Sequence, residues 1–139
     1  MTVINAYIVF DGNCREAMNF YKDCIGGQLD MMTVADSPIS AQCPANMQQT
    51  ILHATLVKDS LVLMASEMMA PGGYHKGNNM ALSLSCSSEE EINAFFTQLS
   101  AGGEVIDPLG DSFWGAKFGV LNDKFGIRWM LNYDKKLNN

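Results

Sequence analysis

Hydrophobic and polar positions follow a pattern that occurs twice along the chain. Residues 5–10 are apolar and β-prone, and a helix is then predicted to begin, with Asn13 as N-cap and Glu16 at the third helical position. The glycine pair Gly26-Gly27 ends this helix. Its apolar positions recur at helical spacing: Ala17, Tyr21, Cys24 and Ile25.

The same order of signals returns about 75 residues later, which indicates an internal repeat. Residues 80–84 are apolar, Ser88 and Glu91 form a second capping box, and Gly102-Gly103 ends a second helix. The apolar stripe of this helix should pack on its own sheet. It consists of Ile92, Phe95, Phe96 and Leu99.

Each half is predicted to end in a hairpin with a two-residue turn, Asp59-Ser60 in the first half and Phe125-Gly126 in the second. The predicted hairpin strands are residues 52–58, 61–66, 119–124 and 127–133. One further strand precedes each hairpin, at residues 28–34 and 104–106. Each half is therefore β-α-β-β-β, and the fold class is α+β with two βαβββ modules.

We expect a single domain over residues 1–139, in which both modules take part. Module one covers about residues 1–70 and includes a longer loop at residues 36–49. A glycine-rich linker follows at about residues 67–79, and module two covers about residues 79–134.

Composition narrows the functional classes. Fifteen acidic and nine basic residues give a net charge of −6, which disfavours nucleic acid and anionic membranes as partners. No apolar run is long enough to cross a bilayer, and the first residues lack the basic start of a secretion signal. The four cysteines have no C-x-x-C spacing, so free thiols and a cytoplasmic location are expected.

Several short motifs accompany the repeat. Residues 122–130 read N-D-K-F-G-I-R-W-M, Phe113-Trp114-Gly115 precedes them, and His53-Ala54 lies in the third predicted strand. With Phe20-Tyr21 in the first helix, these motifs resemble the PhnB-like branch of the vicinal oxygen chelate superfamily, which includes glyoxalases, bleomycin-resistance proteins and dioxygenases. The resemblance covers about residues 5–133.

The resemblance implies curled mixed sheets that form a cleft, in which four inward positions often hold a divalent metal. These positions align with Ala6, Met64, Met130 and either Asn79 or Met80. None of them carries the imidazole or carboxylate that such metals prefer. We therefore predict no cofactor and disfavour a divalent metal.

A relocated metal site would have to use His53, Glu67 or His75. A regular turn at Asp59-Ser60 pairs Val57 with Val62, Thr55 with Met64 and His53 with Ser66. His53 and Ser66 should then face the cleft, while Glu67 points to the opposite face. His75 lies in the glycine-rich linker, where histidines are usually solvated.

Strand alternation and the alignment together predict the residues of the cleft face. They are Ala6, Ile8, Phe10, His53, Thr55, Met64, Ser66, Met130 and Asn132. Trp114, with Phe113, either covers a planar ligand or belongs to the core. His53 is the candidate acid or base, because imidazole exchanges protons near neutral pH, but it can equally be a hydrogen-bonded core residue.

These features favour a small-molecule binding protein that works without metal. The chain has ten methionines, and its apolar cleft is expected to be rich in them. The alternative is a lyase or isomerase that uses His53 or a relocated metal. A third reading is a vestigial cleft filled with its own methionines. The resemblance, and the strand edges that each module leaves uncovered, also predict a homodimer through residues 2–4.

Overall fold

The computed structural model describes residues 1–69 and 71–135. The first half contains β1 (Ala6–Val9), α1 (Cys14–Ile25), β2 (Gln28–Thr33), β3 (Ile51–Lys58) and β4 (Leu61–Ser66). The second half contains β5 (Leu82–Ser85), α2 (Glu89–Ser100), β6 (Glu104–Asp111), β7 (Ala116–Asn122) and β8 (Arg128–Asp134). Two short 3₁₀ helices, Ser40–Gln42 and Ala45–Met47, lie in the long loop between β2 and β3.

The strands form two four-stranded mixed sheets with the same topology. Their orders are β1-β4-β3-β2 and β5-β8-β7-β6. The first strand of each half pairs in parallel with the last, and the other neighbours are antiparallel. The predicted α+β fold with two βαβββ modules is confirmed. The chain divides into two compact units, Met1–Lys76 and Gly77–Asn139.

In the first unit, α1 covers one face of the sheet. The residues that alternate toward α1 are fully or almost fully buried, namely Ala54 and Leu56 on β3, and Leu63 and Ala65 on β4. On α1 itself, Ala17, Met18 and Tyr21 are completely buried. Burial of this face stabilises the unit through the hydrophobic effect, and it leaves the opposite sheet face uncovered by the helix.

In the second unit, α2 covers the corresponding face. Ser88 accepts a hydrogen bond from the Glu91 N–H at 3.1 Å, so the predicted N-cap is confirmed. Ile92, Phe96 and Leu99 of the predicted apolar stripe are buried, and its fourth member, Phe95, is half-buried. A side chain at Gly119 would bring a Cβ atom within 2.7 Å of the Phe96 ring, so only glycine lets α2 approach β7 this closely.

The start of α1 differs from the prediction. The Asn13 side chain makes no capping hydrogen bond. The Glu67 carboxylate, just after β4, instead accepts from the backbone N–H of Cys14 and of Ile51, both at 2.9 Å. Glu67 therefore points toward α1, as strand alternation predicted, and it joins the helix start to β3.

The second hairpin also differs. The predicted turn Phe125-Gly126 is wrong, since β7 ends at Asn122 and β8 begins at Arg128. The buried Asp123 carboxylate organises this longer connection, accepting from Phe125 N at 2.8 Å, Ile127 N at 3.0 Å and Trp129 Nε1 at 2.8 Å. These bonds hold the turn open to five residues because they satisfy two backbone donors inside it.

Two strands differ in extent from the predictions. β5 begins at Leu82, so Asn79 and Met80 lie before it. β6 extends to Asp111, well beyond the predicted residue 106, and its register shifts on both sides of Asp107. Within the described residues, neither helix has the length and apolar character needed to span a bilayer.

Candidate functional site

His53 lies on the face of the first sheet that α1 does not cover. Its strand neighbour Ala54 is fully buried on the α1 side, so alternation places His53 and Thr55 on the open face. Thr55 pairs with Met64, as predicted, and Met64 pairs with Tyr7 on β1. Paired residues share a face, so Tyr7, Met64 and Thr55 form one row across the open face.

Both ring nitrogens of His53 have hydrogen-bond partners. The Thr55 hydroxyl lies 2.9 Å from Nε2, and the Tyr7 hydroxyl lies 3.4 Å from Nδ1. The Tyr7 side chain reaches across β4 to make this contact, with ring centroids 5.8 Å apart. The Tyr7 contact is long and exposed, so Nδ1 is the nitrogen that an incoming ligand can take over most easily.

Partly exposed apolar side chains lie on the same open face as this imidazole. Met32 pairs with His53 across β2 and β3, and it is 42% exposed. Tyr7 is 50% exposed, Val57 40% and Val9 39%. Asp30 pairs with Thr55 and adds one carboxylate to the same face. The face therefore offers an imidazole, two hydroxyls and a carboxylate within a largely apolar surface, which is the composition of a small-molecule site.

The predicted placement of the first strand is wrong. Ala6 pairs with Leu63 and Ile8 with Ala65, on the buried side toward α1. Phe10 is 3% exposed, and its ring lies 6.4 Å from that of Tyr21 on α1. These three residues do not share a face with His53. The alignment placed the short strand one residue out of register, so it assigned the wrong residues to the open face. The parallel pairing with β4 brings Tyr7 to that face.

The Ser66 hydroxyl makes two hydrogen bonds within the protein. Its Oγ donates to the Leu52 carbonyl at 2.8 Å and accepts from Met68 N at 2.9 Å. The register between β3 and β4 is regular from Lys58 to Ala54, and the predicted pair of His53 with Ser66 lies beyond it. Ser66 therefore closes the end of the strand pair, while the ligand-binding role predicted for it stays a prediction.

The predicted site residues of the second half lie on the open face of the second sheet. Met130 pairs with Val120, and Asn132 pairs with Phe118. Trp114 Nε1 lies 3.4 Å from Asn132 Oδ1, and the Trp114 ring meets that of Phe118 at 5.3 Å. Phe113 stands edge-on to Trp114 and is 98% exposed, so it is no part of the core.

The residues present do not fit the divalent metal that the resemblance implies. Ala6 lies on the opposite side of its sheet from Met64, and Ser83 rather than Asn79 or Met80 pairs with Met130. Alanine, serine and methionine provide no imidazole or carboxylate ligand. Over residues 1–69 and 71–135, no three His, Cys, Asp or Glu side chains are grouped to hold a metal.

Two buried thiols are not poised for nucleophilic chemistry. Burial, with a smaller contribution from the nearby Glu67 carboxylate, raises the pKa of the Cys14 thiol to about 12. Burial likewise raises the pKa of Cys86 to about 12, with a smaller contribution from Glu91. Because the thiolate is the nucleophile, both groups are inert near neutral pH.

A separate open depression of about 510 Å³ lies at the start of α1. Arg15, Gln49 and Glu67 are among the residues that line it, and none of the predicted ligand-binding residues does. Both Glu67 oxygens already accept backbone hydrogen bonds. This region therefore serves to fasten the helix start.

Sequence reasoning missed Tyr7. Ala6–Val9 is apolar throughout, so alternation alone cannot tell its two faces apart. The signal was present in side-chain size: Ala6 and Ile8 suit the buried face, and only Tyr7 carries a hydroxyl that needs a polar partner or water.

Comparison with known proteins agrees with this fold. The model of the Glyoxalase/Bleomycin resistance protein/Dioxygenase superfamily matches residues 3–131. Protein YjdN of Escherichia coli K12 is 32% identical over 142 residues, which cover 96% of each chain.

Two solved structures are similar over nearly the whole chain. Protein PA1353 from Pseudomonas aeruginosa is 39% identical with a TM-score of 0.85, covering 96% of this chain and 98% of that one. The PhnB protein from Bacillus cereus, named as a candidate 3-demethylubiquinone-9 3-methyltransferase, is 29% identical with a TM-score of 0.72. That match covers 95% of this chain and 99% of the other.

Proposed function

We propose that this chain, which belongs to the Glyoxalase/Bleomycin resistance protein/Dioxygenase superfamily and to its PhnB-like branch, binds a small, largely apolar molecule without metal. The ligand contacts the open face of the first sheet. The observation that carries the proposal is the His53 imidazole, hydrogen-bonded to Tyr7 and Thr55 within a half-exposed apolar surface.

The physical argument concerns exposed apolar area. Four side chains on the same open face as His53 are each between 39% and 50% exposed, and they are Tyr7, Val9, Met32 and Val57. Burying apolar surface is worth about 25 cal/mol per Å², so a ligand that covers this face gains affinity from area alone. The imidazole and the two hydroxyls then select for a ligand with one polar group in the matching position.

The runner-up is a lyase or isomerase in which His53 acts as acid or base. The long contact between Tyr7 and Nδ1 favours it, because substrate can replace the phenol there. The methyltransferase named for the Bacillus cereus protein is a weaker candidate. This chain contains no glycine-rich strand-to-helix turn of the kind that cradles a nucleotide cofactor.

A thermal-shift screen of small apolar compounds tests the proposal. A ligand at a hundred times its Kd should stabilise the protein by about 2.7 kcal/mol. We expect the shift to disappear in His53→Phe and to persist in His75→Ala, because His75 is an exposed loop residue. Equal shifts in wild type and His53→Phe would contradict the proposal.

Nitrogen NMR sharpens the test, because the chain has two histidines. In His75→Ala the remaining imidazole signals belong to His53. A ligand bound at the proposed place should move the Nδ1 signal most, since it displaces the Tyr7 hydroxyl. Turnover of a hit compound by wild type, lost in His53→Phe, would favour the enzyme over the binding protein.

The proposal includes a cytoplasmic location and a homodimer. None of the four cysteines, all of which lie in the described part of the chain, forms a disulfide, and three of them are buried, which suits a reducing compartment. β1 is an edge strand, and the residues before it are apolar and exposed, with Val3 at 62% and Ile4 at 100%. A second copy that pairs with this edge would satisfy its unpaired backbone groups and cover Val3 and Ile4.

Light scattering tests the dimer. Ile4→Lys should dissociate it, whereas Val105→Lys, on the edge strand β6 of the other sheet, should not. A wild-type mass near the 15.2 kDa of one chain would contradict the dimer. Equal weakening by both substitutions would show that the edge was wrongly chosen.

A further inference from the structure

Arg128 begins β8 on the open face of the second sheet. The next residue, Trp129, is 2% exposed on the α2 side, so alternation directs Arg128 to the other face. Arg128 pairs with Asn122 on β7, and its Nε donates to the Asn122 amide oxygen at 3.0 Å. This bond ties the guanidinium to β7 through Nε, and the bond uses neither of its two terminal nitrogens.

The charge of Arg128 has no counter-ion within the described chain. Over residues 1–69 and 71–135, the ion pairs join Lys117 to Glu89 and Lys135 to Asp111. Glu104 pairs with Asn122 across β6 and β7 but makes no ion pair with Arg128. A partly buried charge without a partner is unfavourable, and a planar guanidinium fits a carboxylate through two parallel hydrogen bonds.

An apolar track leads away from Arg128 along β8. Met130 is 36% exposed and comes next on the same face, beside Val120. Asn132 follows, with the Trp114 and Phe118 rings beside it. At about 3.3 Å per residue, the four residues from Arg128 to Asn132 span roughly 13 Å.

We propose that this face binds an amphipathic carboxylic acid. The carboxylate pairs with Arg128, the apolar chain covers Met130, and an aromatic or bulky end reaches Trp114. The site extends small-molecule binding to the second unit but shares no residue with the His53 site. Either site can therefore fail while the other stands.

Tryptophan fluorescence provides the readout. Trp114 is 45% exposed and Trp129 is 2% exposed, so a ligand on this face should change the Trp114 emission. The probes are acetate, 3-phenylpropionate, 5-phenylvalerate and the uncharged 5-phenylpentanol. We expect affinity to rise with length among the acids, and 5-phenylvalerate to bind about tenfold more tightly than the alcohol.

Variants assign this preference to one side chain. Arg128→Gln should remove the preference for acid over alcohol, while Arg15→Gln should keep it, since Arg15 is the other arginine of the chain and lies exposed on α1. His53→Phe should also keep it. Arg128→Lys retains the charge without the planar pair, so it should keep only part of the preference.

The proposal is overturned by equal binding of acid and alcohol, by a preference that survives Arg128→Gln, or by one that Arg15→Gln removes. The wild-type comparison of acid with alcohol needs no variant, so the test holds even if Arg128→Gln fails to fold. Loss of acid binding in His53→Phe, with Arg128 intact, would instead place the carboxylate at the His53 site.

Discussion

The two open sheet faces have the same backbone topology but different side chains at several equivalent positions. Tyr7 pairs with Met64 in the first sheet, and Ser83 pairs with Met130 in the second. Counting along the strands from these rows gives three equivalent pairs: Tyr7 with Ser83, Thr55 with Val120, and His53 with Phe118. The first face thus carries a hydrogen-bonded imidazole where the second carries an aromatic ring.

This difference shows that the repeat preserves packing and not chemistry. The residues that face the helices are apolar in both units, with Leu63 and Ala65 corresponding to Trp129 and Leu131. The open-face residues do not pack on the helices, so each sheet can acquire its own recognition groups. Symmetry between modules therefore predicts where a site lies and not what it binds.

The two hairpin turns should differ most in their contribution to stability. Asp123→Ala leaves the N–H groups of Phe125 and Ile127 and the indole of Trp129 without their acceptor, and we expect a loss of about 3 kcal/mol or more. Asp59→Gly in the first hairpin should change stability by less than about 1 kcal/mol, because Asp59 has φ of 52° and glycine accepts that conformation without strain. Urea denaturation measures both, and equal losses would contradict the comparison.

Two residues of the family motif in the second unit, Asp123 and Trp129, support the fold. The D-K-F-G-I-R-W run that carried the family resemblance is largely structural, because Asp123 holds the turn and Trp129 fills the core. Arg128 is the member of the run with a side chain on the open face. A motif can therefore identify a family correctly through residues that hold a turn and fill the core.

Sequence patterns predicted the βαβββ order twice and placed the start of both helices to within a residue. They failed where pairing with a distant strand determines which face of a strand is open. The phase of β1 depends on β4, which lies more than 50 residues away in sequence, and four consecutive apolar residues carry no period-two signal. The prediction of the second turn failed for a different reason. The Asp123 side chain, rather than a two-residue backbone turn, accepts the hydrogen bonds of the N–H groups in this connection.

The two helix starts should differ by a smaller amount. α1 is capped from outside by Glu67, which also binds the Ile51 N–H, whereas α2 is capped by its own Ser88. We expect Glu67→Ala to cost about 2 kcal/mol, since two donors lose their acceptor, and Ser88→Ala to cost about 1 kcal/mol. Chemical denaturation compares them, and a larger loss for Ser88→Ala would reverse the interpretation.

Cys14 in the first unit and Cys86 in the second are buried thiols with a similarly raised pKa, so both should respond alike to alkali. The unfolded thiols lose their protons near pH 9, while folded Cys14 and Cys86 hold theirs until about pH 12. The unfolded state then binds fewer protons, so stability falls as the pH rises through this window, by less than about 1 kcal/mol at pH 9. Cys14→Ala and Cys86→Ala should each remove a similar part of the fall.

Thiol labelling gives an independent check of that symmetry. In folded protein at pH 8, iodoacetamide should modify Cys43 first, because Cys14, Cys24 and Cys86 are all buried. Unfolding in urea should expose all four thiols. Rapid labelling of Cys14 in the folded protein would show that the burial argument does not hold for the first unit.

The smallest effect on stability should come from the residues that distinguish the two open faces. Tyr7→Phe removes a hydroxyl that lies 3.4 Å from His53 Nδ1 at an exposed position, so the loss should stay below about 0.5 kcal/mol. The same change should nevertheless shift the His53 Nδ1 resonance in a His75→Ala background, because that nitrogen then bonds only to water. Ser83→Ala, the equivalent change in the second sheet, should leave the His53 resonances where they are. A Tyr7→Phe spectrum identical to that of the parent would mean that the phenol does not hold the imidazole in solution, and the hydrogen-bonded set on the first face would reduce to His53 and Thr55.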